Sequence, residues 1–120
     1  MRHLKTIQTK NKLNEVYALG DKGPGGAYHS YIVVKPGEEN ELLCKIDFQK
    51  GARKDENAQQ GVTDSNLLEI VRDRMKSFQE EEFACEYNEK ALEHIEEALY
   101  WLNQRVEDRA KRNVLGTYEK

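Results

Sequence analysis

Glycine and proline divide this chain in two. Seven of its eight glycines and both prolines fall at or before Gly61, and neither residue occurs from position 62 to position 115. These two residues punctuate regular structure most strongly, so their placement separates short strands and turns from uninterrupted helix. The expected class is α+β: a small N-terminal antiparallel β-sheet region over 1–60, then a long antiparallel helical hairpin over 61–120. A length of 120 residues fits one integrated domain, with the sheet packed on the hairpin.

Within the first part, Glu15-Val16-Tyr17-Ala18-Leu19 reads as a strand that stops at Gly20. The β-branched run Tyr31-Ile32-Val33-Val34 predicts a second strand, and Pro36-Gly37-Glu38-Glu39-Asn40 supplies turn chemistry. Leu42, Cys44, Ile46 and Phe48 alternate with Leu43, Lys45, Asp47 and Gln49, the pattern of a half-buried strand of period two. The last two runs should pair as an antiparallel hairpin, completing a three-stranded sheet. Residues 50–60 read as a polar connection.

The second part opens with Thr63-Asp64-Ser65-Asn66, an N-cap followed by an acidic first turn. Leu67, Leu68, Val71, Met75 and Phe78 recur at helical spacing until Glu80-Glu81-Glu82 interrupts the stripe and marks a turn. The pattern restarts with Ala91, Leu92, Ile95, Ala98, Leu99, Leu102 and Val106. Arg105, Arg109, Lys111 and Arg112 gather in the last turns, where they complement the helix dipole, and Gly116 reads as a late stop. Helical spacing gives arms of roughly 18 and 28 residues, the longer spanning about 40 Å. A chain of this length has a radius of gyration of about 14 Å, so the second helix is about as long as the whole domain is wide. Tyr87, Tyr100 and Trp101 lie beyond its main stripe, which predicts self-association to cover them.

Composition narrows the function. Hydrophobic residues make up 38% and charged residues 34%, a thin supply of core that a second copy would supplement. The net charge of −3 gives no bulk affinity for a nucleic-acid polymer. No stretch approaches the roughly 20 apolar residues of a membrane helix. Met1-Arg2-His3-Leu4-Lys5 has no apolar run behind it, which predicts no signal peptide. Two cysteines do not make a disulfide framework, and a reduced cytosolic setting is the expectation.

His3, His29, His94, Cys44 and Cys85 show no metal-ligand spacing, so no metal and no cofactor is expected. Cys85 has no activating partner and Glu86 beside it disfavours the thiolate, while Glu96-Glu97 reads as ordinary helix-surface charge. No catalytic residue is expected. Two constellations bear on binding. In Gly20-Asp21-Lys22-Gly23-Pro24-Gly25-Gly26, bare amides and Lys22 offer an anion cradle, although a tight turn between strands explains the glycines equally well. On the second helix Arg105 and Arg109 share a face at i, i+4. Asn88 lies 21 residues before Arg109, on nearly the same side but about 30 Å away along the axis. One helix cannot bring both to a small ligand; an antiparallel copy from a second subunit can. Phe78 would then add a stacking ring beside Asn88, and the set suits a nucleotide. A core Phe, a solvated Asn and dipole-complementing arginines would also satisfy the spacing.

The residues resemble a known phage hairpin. Gly61-Val62-Thr63-Asp64-Ser65-Asn66-Leu67-Leu68-Glu69-Ile70-Val71, Arg72-Asp73-Arg74-Met75 and Phe78-Gln79 look like its first arm. Phe83-Ala84-Cys85, Asn88, Ala91-Leu92, Glu96-Glu97-Ala98-Leu99, Trp101-Leu102 and Arg105 look like its second, and Gly116-Thr117 like its close. The hairpin is shared by phage proteins that inhibit CBASS and others that inhibit Thoeris defence. Gly23-Pro24-Gly25-Gly26-Ala27-Tyr28-His29 and Ile46-Asp47-Phe48-Gln49 are similar to the sheet-bearing front of the Thoeris anti-defence family of the first type.

The resemblance implies a non-enzymatic sponge in the cytoplasm of an infected bacterial host. Such proteins hold the cyclic ADP-ribose isomer (glycocyclic ADP-ribose) made by Thoeris TIR proteins, at the interface of dimers that assemble further, as a hexamer built from three dimers. Carried over by position, Phe78 would stack on adenine, Asn88 would meet a polar edge, and Arg105 and Arg109 would grip phosphates. A second site for cyclic oligonucleotides would fall on Lys22, Gly25, Gly26 and His29. Glu86-Tyr87 and Arg112-Asn113-Val114-Leu115 depart from the family pattern and bear on ligand choice. The alternatives are a sponge mainly for CBASS cyclic di- or trinucleotides, a purely structural oligomerisation hairpin, and an enzyme that cleaves the signal.

Overall fold

Four antiparallel strands precede two helices, so the fold is α+β. The computed structural model describes residues 1–120 and contains two compact units, Met1–Val62 and Thr63–Lys120.

The first unit is a meander of β1 (Arg2–His3), β2 (Glu15–Leu19), β3 (Ser30–Lys35) and β4 (Glu41–Asp47), in that spatial order. β1 corrects the three-stranded expectation. Its two residues are too short to carry a pattern, and side chains hold them in place. The Arg2 guanidinium lies 4.8 Å from the Tyr28 ring centroid, and the His3 ring lies 4.9 Å from that of Tyr17. His3 also hydrogen-bonds Glu15 at 2.5 Å, and Lys12 reaches the same carboxylate at 3.0 Å.

β3 and β4 form the expected hairpin, but its register shifts between Val33 and Val34. Val33 faces Cys44 while Val34 faces Leu42, leaving Leu43 as the extra residue of a bulge. The expected period of two therefore breaks there. Ile46 is half-buried, as is Phe48 just beyond the strand, but Leu42 and Cys44 are exposed along the edge of the sheet. The buried apolar residues of this unit are Ala18, Val34 and Ala52.

The polar connection folds back beside β4. Lys50 bridges Gln59, and Phe48 bridges Val62. The Gly61 amide donates to the Gln49 side chain at 3.1 Å, and Arg53 donates to the Gly61 carbonyl at 3.1 Å. A Cβ on Gly61 would sit 2.5 Å from the Asp47 carbonyl oxygen and 2.7 Å from that of Phe48. The glycine at the sequence boundary is thus required by a close backbone approach.

The second unit is an αα-hairpin of α1 (Asp64–Glu80) and α2 (Glu86–Lys111). Thr63 caps α1 in a reciprocal box. Its hydroxyl accepts from the Asn66 amide at 3.3 Å, and the Asn66 side chain accepts from the Thr63 amide at 2.9 Å. α1 ends at the glutamate run, as expected. Half-buried Leu67, Leu68 and Met75 stand on α1, and half-buried Leu92, Ile95, Leu99 and Leu102 on α2. Arg72 ties the helices by donating from Nε to Glu96 at 2.8 Å, so Glu96 is a cross-helix partner rather than an ordinary surface charge. α2 stops before Gly116. Asn113 adopts φ 60°, its amide donates to the Ala110 carbonyl, and the Val114 amide donates to the Arg109 carbonyl. That is a Schellman reversal with Asn at the left-handed position.

Candidate functional site

Phe78 and Asn88 sit at the turn end of the hairpin. Phe78 lies in the last turn of α1, where the Glu81 amide donates to its carbonyl, and the residue is 37% exposed. The Arg74 guanidinium stands 5.4 Å from the ring centroid, a cation the i, i+4 spacing foreshadowed but which sequence reading passed over. Gln79 fixes the connection by donating to the Cys85 carbonyl and accepting from the Cys85 amide, both at 3.1 Å. Cys85 itself is exposed at the N-cap of α2. Asn88, in the first turn of α2, is half-buried, and its amide donates to the Phe83 carbonyl at 3.5 Å. The turn thereby presents an aromatic edge, a cation and an amide with unused hydrogen-bonding capacity.

Arg105 and Arg109 sit at the other end of α2, where their surroundings differ sharply. Arg105 is exposed and makes neither an ion pair nor a hydrogen bond within the chain. Arg109 is 7% exposed. Its Nη1 donates to the Glu119 carbonyl at 2.6 Å, and its Nη2 donates to Val114 and Thr117 carbonyls at 3.1 and 3.2 Å. The helical rise puts Arg105 about 26 Å from Asn88. One hairpin thus brings Phe78 and Asn88 to one end and the two arginines to the other, and does not unite the four.

The glycine turn is closed on itself. Pro24–Gly26 forms a single tight helical turn, with Gly25 and Gly26 both at φ 76°. The Gly23 amide donates to the Ala27 carbonyl at 2.8 Å, and the Gly26 amide donates to the Gly23 carbonyl at 3.0 Å. The His29 ring is bonded to the Pro24 carbonyl at 2.9 Å. Two amides and one imidazole nitrogen of the anticipated cradle are thus engaged internally, while Lys22 is exposed.

Comparison with known proteins adds two findings. Residues 40–107 match the model of the Acb2/Tad1 hairpin domain. That stretch takes in Phe78, Asn88 and Arg105 and ends before Arg109. The chain is also 41% identical over 78 residues to Thoeris anti-defense 1 of Bacillus phage SBSphiJ7. The alignment covers 65% of this chain and 54% of that protein, so the chain spans about half the length of the curated relative it matches.

Proposed function

The chain belongs to the Acb2/Tad1 hairpin-domain family, and from that premise we propose that it is an anti-Thoeris sponge. It binds a cyclic ADP-ribose isomer, glycocyclic ADP-ribose among them, and holds it uncleaved in the cytoplasm of the infected host. The observation that carries this reading is the hairpin match, which spans a half-exposed aromatic beside a cation and, farther along α2, a free arginine. An adenine needs a stacking face and a polar edge, and a pyrophosphate needs guanidinium donors. Phe78 and Asn88 of one copy supply the first pair, and Arg105 and Arg109 of an antiparallel second copy supply the others. The functional unit is therefore a homodimer, assembled further into a hexamer of three dimers. No helix is long and apolar enough to cross a membrane.

Calorimetry with cyclic ADP-ribose isomers, followed by heating and mass spectrometry of the released ligand, tests the proposal. Tight binding and recovery of the intact nucleotide are expected; no binding, or a cleaved product, overturns it. Phe78→Ala and Arg105→Ala should each weaken binding about ten- to a hundredfold, the usual worth of a lost base stack or charged hydrogen bond. If cyclic di- and trinucleotides bind instead, and Lys22→Ala abolishes that binding, the glycine turn carries the activity and the protein answers CBASS. If Phe78→Ala disturbs assembly and wild type has no ligand to lose, the hairpin is structural.

A further inference from the structure

Arg109 is the only charged or polar residue buried in the chain, yet no carboxylate holds it. Its three partners are backbone carbonyls of the segment that follows α2. The Schellman reversal at Asn113 turns that segment back. Gly116, at φ 78°, then permits a second turn in which the Thr117 amide donates to the Val114 carbonyl at 3.1 Å. The Thr117 hydroxyl donates to the same carbonyl at 2.5 Å and accepts from the Glu119 amide at 3.2 Å. Arg112 adds a bond to the Lys120 carbonyl at 2.6 Å.

The guanidinium has two edges able to grip a phosphate with paired N–H groups, Nε with Nη2 and Nη1 with Nη2. Both need Nη2, whose two hydrogens are already given to Val114 and Thr117. The closing segment and a two-pronged phosphate therefore exclude one another at Arg109. Neutral carbonyls satisfy its donors without cancelling its charge, so a phosphate oxygen is the stronger partner. Arg105, one turn earlier and without a partner, is free to meet the anion first.

We propose that residues 114–119 form a latch that occupies Arg109 in the empty protein and is released when a phosphate takes its place. This inference rests on the sponge reading for the identity of the ligand, but the competition belongs to the chain itself. The test is amide hydrogen exchange on the full chain, with and without saturating glycocyclic ADP-ribose. Ligand should accelerate exchange at Val114 and Thr117 about tenfold or more and leave the middle of α2 unchanged. Thr117→Val weakens the latch while keeping Phe78, Asn88, Arg105 and Arg109, and should bind the nucleotide about threefold more tightly. Arg109→Gln should exchange rapidly at the same amides with no ligand present. Unchanged or slowed exchange on binding, looser binding by Thr117→Val, or a quiet closing segment in Arg109→Gln overturns the latch. If the nucleotide fails to bind, the sponge reading falls and millimolar inorganic pyrophosphate decides the latch: acceleration supports it, and none refutes it.

Discussion

Met1–Val62 buries Ala18, Val34 and Ala52 in and beside its sheet, whereas in Thr63–Lys120 the only buried residue is the charged Arg109. The hairpin instead leaves Tyr87 86%, Trp101 62%, Ile70 59% and Tyr100 55% exposed. The two units thus solve stability differently. Small residues, two backbone bridges and a glycine that lets backbone segments touch hold the sheet unit, whose largely exposed apolar side chains, such as Ile7, Leu13 and Leu42, are aliphatic. Two helices meeting along one half-buried stripe do not complete the hairpin, because helices draw most of their stability from packing an apolar face. Each large side chain left in water forgoes about 1.5–3 kcal/mol of burial. The difference teaches that the unit carrying the candidate site is also the one whose exposed apolar side chains are mostly aromatic.

Trp101→Glu should break this comparison most severely. If a second copy covers α2, a charge at that position weakens self-association on the order of a hundredfold, read by sedimentation across a concentration series. The hairpin would lose helicity at low concentration while the sheet unit kept its amide protection. A variant that associates as wild type does would remove this face of α2 from the contact.

Gly61→Ala strikes the other unit. The new methyl must push aside backbone at Asp47 and Phe48, an overpacking that costs about 1–3 kcal/mol. Exchange should quicken at Gln49 and Val62, whose amides bridge this connection to β4. Gly25→Ala sharpens the contrast. It meets open space at φ 76° and costs only about 1–2 kcal/mol of left-handed strain. A Gly61→Ala loss near zero would mean that the close approach at Gly61 contributes nothing.

What was legible in the sequence followed from local rules. The glutamates at 80–82 and the period of Leu67, Leu68 and Met75 mark a boundary and a face that neighbouring residues decide alone. An N-cap in Thr63-Asp64-Ser65-Asn66 was legible for the same reason, though the return bond from the Asn66 side chain was not. Gly61, by contrast, marks a boundary for which Asp47 and Phe48 require the glycine. β1 was not legible, because Arg2 and His3 are strand residues through pairing with Ala18 and Tyr17 and contacts with Tyr28 and Glu15, all distant in sequence. The bulge at Leu43 depends on cross-strand register, which alternation within one strand cannot encode. The site divides likewise. Spacing placed Arg105 and Arg109 on one face, but it could not foresee that Asn113 and Gly116 turn the chain back to enclose one of them. In the glycine turn, residue type announced bare amides, while their bonds to Ala27 and Gly23 arise only from the folded loop.

Thr63→Ala is a milder probe of the hairpin. Removing the hydroxyl frees the Asn66 amide at the start of α1 and costs about 1 kcal/mol, measurable as a lowered urea midpoint of the helical signal. Phe78 lies at the opposite end of α1, so nucleotide affinity per folded molecule should not change. A large loss of affinity would mean that the cap and the turn end are coupled through the helix, and that the hairpin is more rigid than its exposed packing implies.

The smallest effect belongs to the edge of the sheet and is set by pH. Hydrogen bonds from His3 and then from Lys12 hold the Glu15 carboxyl below its ordinary value of 4.5. A carboxyl depressed in the folded state binds fewer protons there than in the unfolded chain. Its stabilising contribution is therefore complete above that ordinary value and fades as pH falls through the lowered one. Glu15 is half-buried but its partner His3 is exposed, so the gain is small and screened by salt. The sensitive reporter is the Leu4 amide, which donates to the Val16 carbonyl at 3.0 Å just beyond β1. Its protection factor, corrected for intrinsic exchange, should drop severalfold on acidification below this window, under about tenfold for so exposed a pair. Glu15→Gln should begin with the lower protection and show no such drop, while the Gln49 amide, bonded to Val62 at 2.9 Å, keeps its protection in both. A parallel loss at both amides would make the acid response a property of the whole sheet unit rather than of the side chains that hold its first strand.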